Sequence, residues 1–247
     1  MAIRPWLMCC NKEGTMAQKK VNAVIHSQEK LAEGIYSMWL DAPEMAEVAV
    51  PGQFIAVYTN DPSKLLPRPI SICEADKENG RLRIVYRIAG AGTKEFSECK
   101  AGDTLDIMGP LGNGFPLKKK KAFLIGGGIG IPPMLELAKN LDCEKTAVIG
   151  YRDQETFLAD ELRKYADVVI ATEDGSVGTK GNVIDAIRAE KLTADIIYAC
   201  GPTPMLKALK AYAMENGIEC YISLEEKMAC GIGACLGCVC HSKDIDE

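Results

Sequence analysis

Histidine is nearly missing from this chain: of 247 residues only His26 and His241 carry an imidazole, and neither stands in a recognisable catalytic set. No apolar run approaches the ~18 residues of a membrane-crossing helix, so no spanning segment is expected. There is no basic patch interleaved with aromatics. Net charge is −5, and the basic residues are scattered apart from the lysines at 118–121, which read as a solvated turn. Nucleic acid is therefore not an expected partner. Internal repeats and low-complexity stretches are absent too. The opening MAIRPWLMCC is uncharged only from Pro5 to Cys10, which is short for a secretory leader, and no small-residue cleavage site follows. Residues 1–19 are expected to be a disordered extension, or translation to begin at Met16.

What is present fits an ordinary soluble chain long enough for two domains, with 47% apolar and 26% charged residues. Eleven cysteines stand out by placement, because Cys230, Cys235, Cys238 and Cys240 fall close together. A local group of this kind reads as a metal site in a reducing cytoplasm rather than as a disulfide framework. Residues 20–117 show short alternating segments at 21–26, 35–40, 53–58, 81–88 and 104–108, separated by Gly and Pro, with a helical turn near 94–99. This pattern predicts a small antiparallel barrel. Residues 118–223 alternate strands (122–125, 146–151, 168–172, 196–200, 219–223) with helices (133–140, 155–165, 182–190, 204–216). That predicts a parallel sheet with helices on both faces. Residues 224–247 hold the cysteines and form a third, small lobe.

Between the strand at 122–125 and the helix at 133–140 lie Gly126, Gly127, Gly128 and Gly130. Glycine lets backbone approach a ligand, and helix N-terminal amides attract phosphate. The fit to G-x-G-x-x-G is loose, with Gly126, Gly128 and Ile131 at its three positions, and such a turn can equally be structural. A second feature, Cys200-Gly201-Pro202-Thr203-Pro204-Met205, sits at the carboxyl end of a later strand, where open α/β sheets bind ligands. In the barrel half, Arg68 is flanked by Pro67 and Pro69, with Ile70 and Ser71 following. An arginine there can pair with phosphate in fork geometry.

Together these segments resemble the ferredoxin reductase family, and RPIS resembles its R-x-[YF]-S flavin signature with Ile70 in place of the aromatic. The RPIS form, Val85-Tyr86-Arg87, Gly92-Thr93, GPLGNGF and the cysteine segment resemble the electron-transfer subunits of NAD-linked dihydroorotate dehydrogenase. The spacing of Cys230, Cys235 and Cys238 is C-x₄-C-x₂-C, the plant-type 2Fe-2S arrangement. A fourth ligand is needed. Cys240 is close for it, so the chain is expected to be truncated, with the ligand beyond Glu247. Zinc, with His241 as fourth donor, is the weaker alternative.

The resemblance implies that FAD is held by Arg68, Pro69, Ile70, Ser71, Val85, Tyr86, Arg87, Gly92 and Thr93. It implies NAD at Gly127, Gly128, Gly130, Cys200, Gly201 and Pro202, and a cluster on Cys230, Cys235 and Cys238. No catalytic residue is assigned. The implied role is an electron relay: a catalytic subunit with FMN oxidises dihydroorotate, and electrons pass by the cluster and FAD to NAD⁺, in a heterotetramer with two copies of each subunit. The other readings are a subunit of a sulfide dehydrogenase, a hydrogenase or a ferredoxin:NADP⁺ transhydrogenase, and, in another class, a non-redox regulatory protein binding nucleotide and zinc. Arg152 and Asp153 leave NAD against NADP open.

Overall fold

The computed structural model describes residues 4–6, 19–224, 228–232, 234–235 and 237–238. They group into two compact units, one a barrel with the described residues of 228–238 and the other an α/β sheet. The chain opens with β1 (Arg4–Trp6), a strand of the α/β sheet. The barrel follows as β2 (Lys19–Ala32), β3 (Ile35–Asp41), α1 (Pro43–Val48), β4 (Phe54–Val57), β5 (Arg68–Asp76), β6 (Arg81–Arg87), α2 (Ala91–Glu98) and β7 (Thr104–Leu111). Its strands close in the order β2-β3-β6-β5-β4-β7, all antiparallel.

The alternation that predicts this barrel is plainest in β7, where Leu105, Ile107 and Leu111 are buried and Asp106 and Met108 are half-buried. Closure leaves no free sheet edge. Helix α1 was not legible as a helix: Pro43 starts it, and Met45 and Ala46 join the barrel core. Helix α2 begins at Ala91, three residues before the expected turn, because Thr93 Oγ1 accepts the amides of Ala89 (2.8 Å) and Gly90 (3.2 Å). The flavin-like motif at Arg68–Ser71, to which the sequence assigns no secondary structure, opens a full strand, β5.

The second unit runs β8 (Ala122–Gly127), a 3-10 turn (Gly128–Gly130), α3 (Pro132–Asn140), β9 (Lys145–Tyr151), α4 (Ala159–Leu162), β10 (Asp167–Thr172), β11 (Thr179–Lys180), α5 (Val183–Ala189), β12 (Ile196–Cys200), α6 (Thr203–Asn216) and β13 (Glu219–Ser223). The sheet order is β1-β13-β12-β8-β9-β10-β11, parallel throughout. Every residue of β8 and β12 is buried, as expected of central parallel strands covered on both faces. Helix α5 has a reciprocal cap: Asn182 Oδ1 accepts from Ile184 N (2.8 Å), and Asp185 Oδ2 accepts from Asn182 N (2.9 Å).

Three expectations need correction. Residues 4–6 are not disordered; they pair with Tyr221, Ile222 and Ser223 of β13. The helix expected over 155–165 shrinks to α4, because Asp153 Oδ1 accepts the Glu155 amide, Tyr151 Oη donates to the Phe157 carbonyl (2.7 Å), and Leu158 takes a left-handed φ of 64°. The lysines at 118–121 are not merely solvated. Lys118 and Lys120 pair with Glu219, Lys119 with Asp142 and Lys121 with Glu144.

Candidate functional site

Three places on the two units could hold a cofactor. The first lies where β5 and β6 part. Their ladder ends at Ile72 and Ile84, while β5 continues beside β4 back to Arg68 and β6 continues beside β3 to Arg87. Residues 68–71 and 85–87 therefore flank the place where the two strands part. Arg68 turns towards α2: a Cβ built on Gly92 would lie 2.1 Å from Arg68 Nε and 2.4 Å from its Cζ. The guanidinium thus occupies the space that any side chain at 92 would need, beside the first turn of α2. A planar cation next to helix-start amides is a fit for phosphate oxygens. Arg68 Nη1 donates to the Leu66 carbonyl at 2.6 Å, which fixes its direction.

The other barrel residues singled out by the motif have different surroundings. Ile70 is 8% exposed and belongs to the barrel core. Pro69 and Arg87 are exposed, Ser71 and Thr93 are half-buried, and Val85 is buried. Tyr86 is buried, stacked on Tyr36 and edge-on to Phe96, and its hydroxyl donates to Gln28 Oε1 at 2.8 Å. Burial pushes the Tyr86 phenol far above its ordinary range. Gln28 Nε2 in turn donates to the carbonyls of Phe96 (3.1 Å) and Cys99 (2.8 Å) at the end of α2. Tyr86 thus anchors α2. Gln28, which no motif picks out, completes the link, and only its long-range contacts reveal it.

The second place is the crevice at the carboxyl ends of β8 and β12. Here the chain order reverses, β8 being followed by β9 on one side and flanked by β12 on the other, the switch point at which open sheets bind ligands. Cys200 is level with Gly126 across the two strands. The glycines of both turns serve mainly to let these turns touch. A Cβ on Gly130 would lie 2.3 Å from the Cys200 carbonyl oxygen, and one on Gly127 would lie 2.6 Å from Met205 Sδ. Gly201, at φ 156°, would collide with Met205. Gly128 differs: its φ is 53° and the space beside it is open, so it is the position where backbone can meet a ligand. Pro202 is exposed at the start of α6, and Cys200 is 2% exposed.

The third place is the cysteine loop. Cys230 Sγ accepts the Cys235 amide at 3.4 Å. That amide, then those of Ile232 and Ala234 with the Cys235 thiol, hold the Cys230 thiol down at about 6. Amides aimed at sulfur are what a thiolate ligand requires. Gly231 takes a φ of 69°, and a Cβ built on it would lie 3.1 Å from Leu111 Cδ1. Cys235 is exposed, whereas Cys238 is 5% exposed and packs with Phe54, Ala56, Leu111 and Met228. Among the described residues no three metal-ligating side chains come together as one group. The described residues of the cysteine segment, 228–232, 234–235 and 237–238, group with the barrel. Cys240 and His241 lie outside the described residues.

Comparison with known proteins agrees with this layout. Residues 22–115 match the family model of the oxidoreductase FAD-binding domain, and residues 225–247 match the iron-sulfur cluster binding domain of dihydroorotate dehydrogenase B. The chain is 44% identical to the dihydroorotate dehydrogenase B (NAD(+)), electron transfer subunit of Geobacillus sp. (strain WCH70), over 92% of this chain and 90% of the relative. It belongs to the dihydroorotate dehydrogenase B electron transfer subunit family. The Streptococcus mutans serotype c (strain ATCC 700610 / UA159) member is 46% identical over 92% of this chain and 91% of its own.

Among solved structures, one described as giving insights into flavin-based electron bifurcation via the NADH-dependent reduced ferredoxin-NADP oxidoreductase aligns with a TM-score of 0.81 and 31% identity. It covers 92% of this chain and 83% of that one. Phthalate dioxygenase reductase aligns at 0.63 and 26% identity over 83% and 68%. The barrel and parallel sheet read from the sequence are thus the fold of this family. No helix among the described residues is long and apolar enough to cross a membrane.

Proposed function

We propose that this chain is the electron transfer subunit of an NAD-linked dihydroorotate dehydrogenase, working beside a separate catalytic subunit. The observation that carries the proposal is that one chain combines a cation-and-amide site at Arg68 and α2, a switch-point crevice at β8 and β12, and a C-x₄-C-x₂-C loop. In this reading Arg68 and the first-turn amides of α2 hold the phosphates of FAD. Ser71 contributes a hydroxyl, and Pro69, Ile70, Val85, Tyr86, Arg87 and Thr93 shape or brace the site. Gly128 presents backbone to the pyrophosphate of NAD, while Gly127, Gly130 and Gly201 keep the two turns in contact. Cys200 and Pro202 flank the nicotinamide.

Cys230, Cys235 and Cys238 supply three of the four cluster ligands, and Cys240 is a candidate for the fourth. When bound, the cluster exchanges single electrons, nicotinamide takes a pair as hydride, and flavin interconverts the two. The chain's own residues hold these groups and balance their charge. The similarity to electron transfer subunits assigns the oxidation of dihydroorotate to the partner. That partner carries FMN, the assembly holds two copies of each subunit, and it serves pyrimidine synthesis in the cytoplasm.

The test is coexpression with a catalytic subunit. Dihydroorotate-dependent reduction of NAD⁺ by the pair, and by neither alone, supports the proposal. A second reading, NADH-linked ferredoxin chemistry, draws on the similarity at TM-score 0.81. Reduction of NAD(P)⁺ by reduced ferredoxin, with no response to dihydroorotate, selects it.

A further inference from the structure

No motif assigns Glu95 a role. It lies on α2 one turn after Gly92, and its side chain is 22% exposed. Its Oε1 accepts the amide of Asn60 at 2.6 Å, and its Oε2 accepts from Lys64 Nζ at 2.9 Å. Asp61 shapes the intervening loop, taking the Ser63 amide (2.9 Å) and hydroxyl (2.7 Å) and pairing with Lys64 at 3.2 Å. This loop runs directly into Leu66, whose carbonyl orients Arg68, and Arg68 lies against Gly92 of the same helix. One carboxylate therefore fixes the approach of the chain to Arg68 on the element that carries the facing amides.

We propose that Glu95 is a positioning residue for the flavin phosphate site, latching the loop at 60–67 to α2 so that the Arg68 guanidinium stays beside the first-turn amides. The proposal rests on the flavin reading of this site. Without the latch the loop end is released, Arg68 samples other directions, and the loss falls on ligands that carry phosphate.

The test uses the full-length chain stripped of flavin and titrated with FAD and with riboflavin, which has the ring system but no phosphate. Glu95→Ala is expected to weaken FAD about tenfold and riboflavin less than about twofold, the scale of a displaced charge-assisted bond. Glu95→Gln can still accept the Asn60 amide but loses its charge on Lys64, and is expected to weaken FAD about threefold. In the double variant with Arg68→Ala, Glu95→Ala should add little, because both act through one guanidinium. Equal weakening of FAD and riboflavin, or full additivity in the double variant, overturns the proposal. A wild-type chain that binds neither flavin overturns the flavin reading itself.

Discussion

Single atoms decide the most at Gly92 and Gly130. At Gly92 a methyl group would displace the Arg68 guanidinium. Gly92→Ala should therefore purify with little flavin, its FAD affinity down about tenfold or more, while its far-ultraviolet circular dichroism matches the wild type. At Gly130 a methyl would strike the Cys200 carbonyl and force the turn after β8 away from the turn after β12. Gly130→Ala should raise the KM for NADH in dye reduction about tenfold and lower stability by ~1–3 kcal/mol, with flavin content unchanged. The sequence showed these glycines, and for those after β8 it offered a structural turn or else ligand approach. Only Gly128 keeps that role, because contacts between turns far apart in sequence cannot be read from spacing.

Between elements, the cysteine loop behaves as part of the barrel. Cys238 shares a buried apolar cluster with Phe54, and Phe54 pairs with Ser71 of the flavin motif. Cys235 is exposed and has no such tie to the core. Cys235→Ser should lose the cluster absorbance and retain FAD and NADH-to-dye activity. Cys238→Ser should lose the cluster and also melt at a lower temperature, since it sets a hydroxyl among apolar side chains. Equal melting points for the two variants would contradict this placement. Much at this scale was legible from the sequence: the alternation of β7, the uninterrupted apolar strands β8 and β12, and the Pro and Gly punctuation each reflect a local preference. Helix α1 and the shortened α4 were not. The first is short and held by tertiary burial of Met45 and Ala46, and the second is set by side-chain bonds to the loop at 152–158.

Across the whole molecule, charge and cofactor layout carry the account. Lys118, the Tyr221 hydroxyl and Lys120 converge on Glu219, and its carboxyl is held down at about 2, with the Lys118 bond the largest cause. A folded value below the ordinary carboxylate one means a contribution fully present above about pH 5 and lost as pH falls towards 2. Glu219→Gln should therefore melt about 2 °C lower than wild type at pH 7, a modest shift because the lysines are solvent-facing, and the gap should close on acidification through that window.

The central claim is that NADH reduces a flavin and an iron–sulfur cluster held by this one chain. An anaerobic visible spectrum of the purified protein, followed by titration with NADH, tests it most directly. The account predicts flavin bands that bleach together with a broad cluster absorbance that falls on reduction. A protein without flavin bands, or with flavin that NADH leaves oxidised, would contradict it.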